Sequence, residues 1–396
     1  MGEKMKSRLS LAVSLLTVTA LIAGTSPASA AGTINGSGAT FAAPLIDACK
    51  GDFTAATQNI VNYPGGGSSK GRTDFSAGNL VDFAGSDAPY SSGEPANIIY
   101  APIFAAPISL MYNVKGIKEG LYLSPKTIAG IFSGEITVWN DPAIDKDNTR
   151  TVKTPVYATK KVTTKVKGKS VTNTVPVLDA KGNPKVLRYT TKVIDYALPQ
   201  TAITVWYRTD GSGTTENFGK FLHGTAPTIW TKPGAPTFTA STPKSIAGQF
   251  NFQGQSGSAA VAAGVAGRDG SIGYGELNFA LANKLPSAFV QNTAGEFVEP
   301  TAAGTSAFLG GGNINANGTL TVDFKKKIPG AYSLGTASYG LAYPAASKKN
   351  AEKQADVAAW FTYLLEQCPV KFPQTGFSKI TGPLYTKAKA QIALIK

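Results

Sequence analysis

Arg208-Thr209-Asp210-Gly211-Ser212-Gly213-Thr214-Thr215 is the stretch on which the reading of this chain turns. Ahead of it, Ala202-Ile203-Thr204-Val205-Trp206-Tyr207 carries the β-branched and aromatic residues of a buried strand. Behind it, Glu216-Asn217-Phe218-Gly219-Lys220-Phe221-Leu222 spaces its apolar residues as a helix does. The Gly-Ser-Gly-Thr link is therefore a strand-to-helix turn. Its small residues let the backbone approach a ligand, and its hydroxyls sit among N–H groups that a helix start leaves unpaired. Arg208 and Asp210, two residues apart, fall on one face of the strand. This is the chemistry of an oxyanion site, although a Ser/Thr cap in a plain βα loop has the same appearance.

The pattern recurs nearer the start. Ile34-Asn35-Gly36-Ser37-Gly38-Ala39-Thr40-Phe41, followed by Ala42-Ala43-Pro44-Leu45-Ile46, reads as a short strand, a glycine turn with a hydroxyl, and a helix start. Ile60-Val61-Asn62-Tyr63-Pro64-Gly65-Gly66-Gly67-Ser68-Ser69-Lys70-Gly71 repeats the order. It is not a Walker A loop, because Lys70 follows Ser69 where that motif needs glycine. Val81-Asp82-Phe83-Ala84-Gly85-Ser86-Asp87-Ala88-Pro89 is a strand ending in an acid among small residues. Each loop alone reads as a capped turn, and the recurrence is what favours a ligand.

The N-terminus has the form of a targeting segment. Lys4, Lys6 and Arg8 precede an apolar run from Leu9 to Gly24, and Ala28-Ser29-Ala30 is an A-x-A cleavage site. Residues 1–30 are thus expected to be a secretory signal peptide, leaving 366 of 396 residues in a periplasmic or secreted protein of about two domains. With 43 glycines and 24 prolines the composition suits a loop-rich α/β chain better than a helical bundle. Cys49 and Cys368 are the two cysteines. In an exported chain they either pair, tying the N-terminal region to the C-terminal helix, or stand as two buried thiols.

The net charge of +14 is unevenly spread, since residues 151–200 hold ten cations against Asp179 and Asp195. Alternating β-branched and polar residues there, broken at Lys167-Gly168-Lys169 and Gly182-Asn183-Pro184, predict an inserted basic β-ribbon over 151–197. Lysines along exposed strand edges guard against edge-to-edge aggregation, and they also suit an acidic partner or anionic surface. Aromatic residues are sparse in the ribbon, which argues against single-stranded nucleic acid.

Four motifs in order, Gly-x-Gly-Ala-Thr-Phe, Gly-Gly-Ser-Ser, Asp-Phe-x-x-Ser-Asp-Ala-Pro and Arg-x-Asp-Gly-Ser-Gly-Thr, resemble the periplasmic phosphate-binding proteins of Pst-type phosphate ABC transporters. Thr33-Ile34-Asn35-Gly36 is similar to the start of the related DING phosphate-binding proteins. Ile131-Phe132-Ser133-Gly134, Trp139-Asn140-Asp141-Pro142 and Gly270-Ser271-Ile272-Gly273-Tyr274 are further pieces of that kind. The resemblance covers nearly all of 33–390 outside the basic insert. It implies a two-domain α/β periplasmic-binding fold of type II with a hinge. One lobe would be 31–113 plus 331–396 and the other 114–330, with crossings near Asn113 and Tyr332.

By the same resemblance, Thr40, the Phe41 N–H, Ser68, Asp87, Arg208, Ser212, the Gly213 N–H and Thr214 would contact inorganic phosphate, and Asp210 would hold Arg208. Hydroxyl and N–H groups donate to the oxygens, and the guanidinium supplies a planar fork. Asp87 would favour phosphate, which brings a proton to share, over sulfate, which does not. Closure on the ligand would present the protein to a membrane permease. A monomer is expected, with no cofactor and no metal. Two departures stand out: Lys70, where the family has a small residue, and the long basic insert.

Enzymatic function has little support in the sequence. A phosphatase would need a nucleophile with a base or a metal cluster, whereas His223 is the single histidine and Ser212 has no evident base. An exported surface-binding or adhesive protein using residues 151–197 is the competing class. Arsenate and phosphate are not distinguished by these residues.

Overall fold

The computed structural model describes residues 32–396 apart from 79, 118, 119, 167, 168, 195–197, 348 and 350. The expected signal peptide at 1–30 lies outside the described residues. A central sheet contains eight strands: β1 (Thr33–Gly38), β2 (Ile60–Asn62), β3 (Phe83–Ser86), β4 (Ile99–Asn113), β5 (Thr204–Arg208), β6 (Phe252–Gln255), β7 (Ser271–Glu276) and β8 (Gly335–Ala342). Their spatial order is β6-β5-β7-β4-β8-β3-β1-β2.

The two halves of the sheet repeat one design. β1 runs parallel to β2 and β3, and β5 runs parallel to β6 and β7. Parallel neighbours need crossover connections, and helices supply them. α1 (Ala43–Thr57) lies between β1 and β2, α2 (Ser68–Ser76) between β2 and β3, and α4 (Ser258–Gly267) between β6 and β7. α3 (Gly213–Thr225) follows β5. Between the halves β4 and β8 run antiparallel to each other, β4 against β7 and β8 against β3.

β4 carries the connection between the halves. Its 15 residues are almost uniformly apolar and 14 of them are buried, as a strand covered on both faces requires. Two prolines in such a strand remove ladder donors, and each sits where the ladder is already interrupted. The register with β8 shifts opposite Pro102 and Phe104. Pro107 is the last residue paired with β8, and from Ile108 onward β4 pairs with β7.

Cys49 of α1 and Cys368 form a disulfide with their Cα atoms 5.9 Å apart, so the two-thiol alternative does not hold. It closes a loop of 319 residues, for which the chain-entropy argument gives stabilisation of about 6 kcal/mol. Phe53, one turn along α1, packs edge-on against Trp360 and Tyr363 at centroid distances of 4.9 and 5.5 Å. Residues 150–194 form two antiparallel hairpins, Arg150–Tyr157 with Val186–Ile194 and Thr159–Val166 with Lys169–Pro176. They join at Ala158, whose N–H donates to the Lys185 carbonyl and whose carbonyl accepts from the Val177 N–H. Asp179 Oδ1 closes the intervening turn by accepting from the N–H groups of Lys181 and Asn183. Most side chains of both hairpins are exposed.

Candidate anion-binding site

Four strand-to-helix turns meet across the two halves of the sheet. The Gly67 N–H donates to the Gly38 carbonyl at 2.7 Å, joining the first two turns. The Ser69 N–H donates to the Gly211 carbonyl at 3.1 Å, joining the halves. The fourth turn, Gly254-Gln255-Ser256-Gly257-Ser258, is absent from the sequence-based site although it has the same order of strand, glycine, hydroxyl and helix. Ser68, Gly213 and Ser258 are the first residues of α2, α3 and α4, so each brings N–H groups that lack intrahelical partners. Such helix starts carry partial positive charge and suit an anion.

Glycine is required at one close approach between the halves. A Cβ on Gly67, whose φ is 96°, would lie 2.6 Å from the Gly211 carbonyl oxygen and 2.7 Å from Asp210 Oδ2. A side chain there would hold the halves apart.

Arg208 is 1% exposed and fixed on three sides. Its Nε donates to Asp210 Oδ1 at 2.6 Å, Nη2 pairs with Asp210 Oδ2, and Nη1 donates to Ser258 Oγ at 2.9 Å. Burial works against the guanidinium charge, but Asp210 outweighs it and the pKa ends above its ordinary value. Burial likewise opposes ionisation of Asp210, and Arg208 prevails, holding that carboxyl below the usual range. Asp210 Oδ1 also accepts from the Gly257 N–H at 2.9 Å, so one carboxylate orients both Arg208 and the start of α4.

Asp87 faces this pair from the other half. Ser338 donates to its Oδ1 at 2.8 Å and Ser68 to its Oδ2 at 3.2 Å. Burial, with the charge of Glu276 behind it, pushes Asp87 up to about 7 against the opposing pull of Ser338, Ser68 and Arg208. Its backbone carbonyl accepts from Asn217 Nδ2 of α3 at 2.7 Å, and the same amide donates to Thr336 Oγ1 at 3.0 Å.

The remaining expected residues lie close by. Ser212 Oγ accepts from the Thr215 N–H at 3.2 Å and so caps α3, which leaves its own proton available as a donor. Capping and ligand contact are compatible at that residue. Thr214 donates to Glu276 Oε1 at 2.9 Å. Thr40 Oγ1 is 3.5 Å from Ser258 Oγ, and Phe41 is fully buried. Lys70 turns away to pair with Asp74 at 2.6 Å, with its side chain 54% exposed, so it adds no cation to the cluster.

Ser258, Glu276, Ser338 and Asn217 complete the arrangement and were not anticipated as site residues. Ser258 was legible from its Gly-Ser helix start, whereas the other three reach the site only through sheet pairing and helix packing. The other family-like motifs form the supporting scaffold. Trp139 Nε1 donates to the Gly270 carbonyl at 2.9 Å, linking two of them. Phe132 and Phe218 pack around Tyr274, whose hydroxyl accepts from the Arg208 N–H at 3.3 Å and is 2.7 Å from Thr215 Oγ1. His223 lies near the end of α3 with Nδ1 3.1 Å from the Trp230 carbonyl. Among the described residues no group of three or more His, Cys, Asp or Glu could hold a metal.

Residues 23–366 match the family model described as a PBP superfamily domain. A phosphate-binding protein PstS of Xylella fastidiosa is 31% identical over 329 residues, covering 81% of this chain and 74% of the relative. The crystal structure of a DING protein superposes with a TM-score of 0.64 at 21% identity, over 90% of this chain and 93% of the other. A structure described as a putative phosphate ABC transporter substrate-binding protein with bound phosphate, from Clostridium perfringens, gives a TM-score of 0.54 at 15% identity, covering 88% and 100%. The fold is that of the two-domain periplasmic-binding proteins.

Proposed function

We propose that this chain, which belongs to the PstS family of phosphate-binding proteins within the PBP superfamily, captures inorganic phosphate between its two lobes and delivers it to an ABC permease. The observation that carries the reading is Asp87, a buried carboxyl with a raised pKa that faces the Asp210-fixed guanidinium of Arg208 across converging helix starts. Hydroxyl groups of Thr40 and Ser212, those of Ser68 and Thr214 once turned from Asp87 and Glu276, and the N–H groups of Phe41 and Gly213 would donate to the oxygens, with Arg208 as the charged fork. Ionised Asp87, the form that prevails above its pKa of about 7, would accept the proton that phosphate carries. Sulfate brings no such proton and would leave two acceptors opposed.

The lobes are proposed as 31–113 plus 331–396 and 114–330, with β4 and β8 crossing between them and the cleft closing around the anion. Support for closure comes from the bonds that span the halves, Ser69 to Gly211 and Asn217 to Asp87. The protein would act as a monomer, without catalysis, in the periplasm or outside the cell. No helix among the described residues is long and apolar enough to cross a membrane. The test is titration of anion-stripped protein with phosphate and sulfate, for wild type and Asp87→Asn. Tight phosphate binding with a weak sulfate response, and a gained sulfate response in the variant, is the expected result. No phosphate binding by folded protein would overturn it.

A further inference from the structure

Glu276 ends β7 fully buried at the floor of the cluster. Its Oε1 lies 2.9 Å from Thr214 Oγ1, while Oε2 is buried with no partner at hydrogen-bond distance. Thr214 has a single hydroxyl proton. With Glu276 ionised, that proton is committed to the carboxylate, and the hydroxyl cannot also donate to an anion in the cleft. Ionisation would further leave an unpaired charged oxygen in the interior near a second buried carboxyl, Asp87. Protonation removes both conflicts, since the acid O–H can donate to Thr214 Oγ1 and free the Thr214 proton to turn toward the cleft.

We propose that Glu276 is protonated when the anion is bound and acts through Thr214 as a positioning residue, so that its protonation state sets affinity for a tetrahedral oxyanion. This rests on the anion reading above. The charged and titratable groups around it are Arg208 on β5, neutralised by Asp210, then Tyr274 on its own strand and Asp87 from the opposite half. Thr214 of α3 and Ser258 of α4 are the neighbouring hydroxyls. Burial raises the Glu276 carboxyl over the opposing influence of Arg208 and these hydroxyls, and an incoming anion raises it further.

The experiment is calorimetric phosphate titration of wild type, Glu276→Gln, Thr214→Val and the double variant, from about pH 5 to about pH 9.5, in buffers of different ionisation enthalpy. The amide introduced by Glu276→Gln would donate permanently to Thr214, as the protonated acid does. Wild type should take up a proton on the alkaline side and lose affinity there by up to about tenfold per pH unit beyond any shared Asp87 contribution. Glu276→Gln should take up fewer protons and keep its alkaline affinity. Adding Glu276→Gln to Thr214→Val should change neither. Identical proton uptake and pH profiles in wild type and Glu276→Gln would overturn the proposal, as would a folded Glu276→Gln that binds at no pH. Absence of phosphate binding by wild type at every pH would instead remove the anion reading beneath it.

Should Glu276→Gln not fold, the infrared difference spectrum of Asp87→Asn on phosphate binding at the alkaline end of the pH series, where wild type takes up a proton, decides. A gained protonated-carboxyl C=O stretch supports the proposal and its absence overturns it.

Discussion

Asp87 is held in its folded environment at a pKa of about 7, against about 3.9 for an unhindered aspartate. The folded state therefore binds the proton more tightly than the unfolded chain. Stability conferred by the protonated form is present at low pH and is lost as pH rises from about 4 through about 7, amounting to roughly 4 kcal/mol beyond that window. Asp87→Asn removes the titration. In phosphate-free buffer the variant should melt at a higher temperature than wild type above pH ~7, with the gap closing toward pH ~4. A gap that does not vary with pH would show that Asp87 is not held in its raised state. The sequence marked Asp87 as an acid at a strand end among small residues, but its raised pKa follows from burial and the nearby charge of Glu276, against which the hydrogen bonds from Ser338 and Ser68 pull. Ser338 and Glu276 come from distant strands, β8 and β7, and no local spacing announces them.

Helix starts and the links between them decide whether the cluster forms. α3 does two things at once: its first turn faces the cluster with Ser212, Gly213 and Thr214, and its Asn217 bridges Asp87 and Thr336. Asn217→Ala deletes two hydrogen bonds between the halves, each worth about 1 kcal/mol. It should weaken phosphate binding roughly 5- to 30-fold, with most of the loss in the dissociation rate measured by stopped flow. An unchanged dissociation rate would mean that the Asn217 link does not hold the cleft closed. Strand-to-helix turns were readable because glycine and hydroxyl residues interrupt strong strand and helix patterns. Asn217 was not, because on a helix it reads as an ordinary polar residue until α3 is packed against β3 and β8. The turn before α4 carried the readable pattern, and its Ser258 is what receives Arg208 Nη1.

At the scale of the whole molecule, the sheet holds two parallel halves joined by β4 and β8, and the hairpins of 150–194 stand apart as an exposed accessory. Cross-strand register places cations on both faces of that ribbon, Lys161 and Lys165 on one face of the second hairpin and Lys160 and Lys169 on the other. Deleting 151–197 should leave phosphate affinity within about twofold, because the ribbon supplies none of the residues around Arg208 and Asp87. Titration of the deletion variant checks this, and a loss of more than about tenfold would tie the ribbon to the cleft. Sequence alone anticipated the alternating strands of the ribbon and the α/β class. The sheet order, and the use of Pro102 and Pro107 in a central strand, required the structure because proline in sequence argues against such a strand.

In the proposed function, Asp87 and Arg208 together make a cleft that accepts a protonated tetrahedral anion. This is tested most directly by calorimetric titration of anion-stripped wild type and Asp87→Asn with phosphate and with sulfate. Wild type should bind phosphate tightly and respond weakly to sulfate, and the variant should lose that discrimination by at least about tenfold. Equal discrimination in both proteins, or binding of sulfate by wild type as tightly as phosphate, would contradict the account.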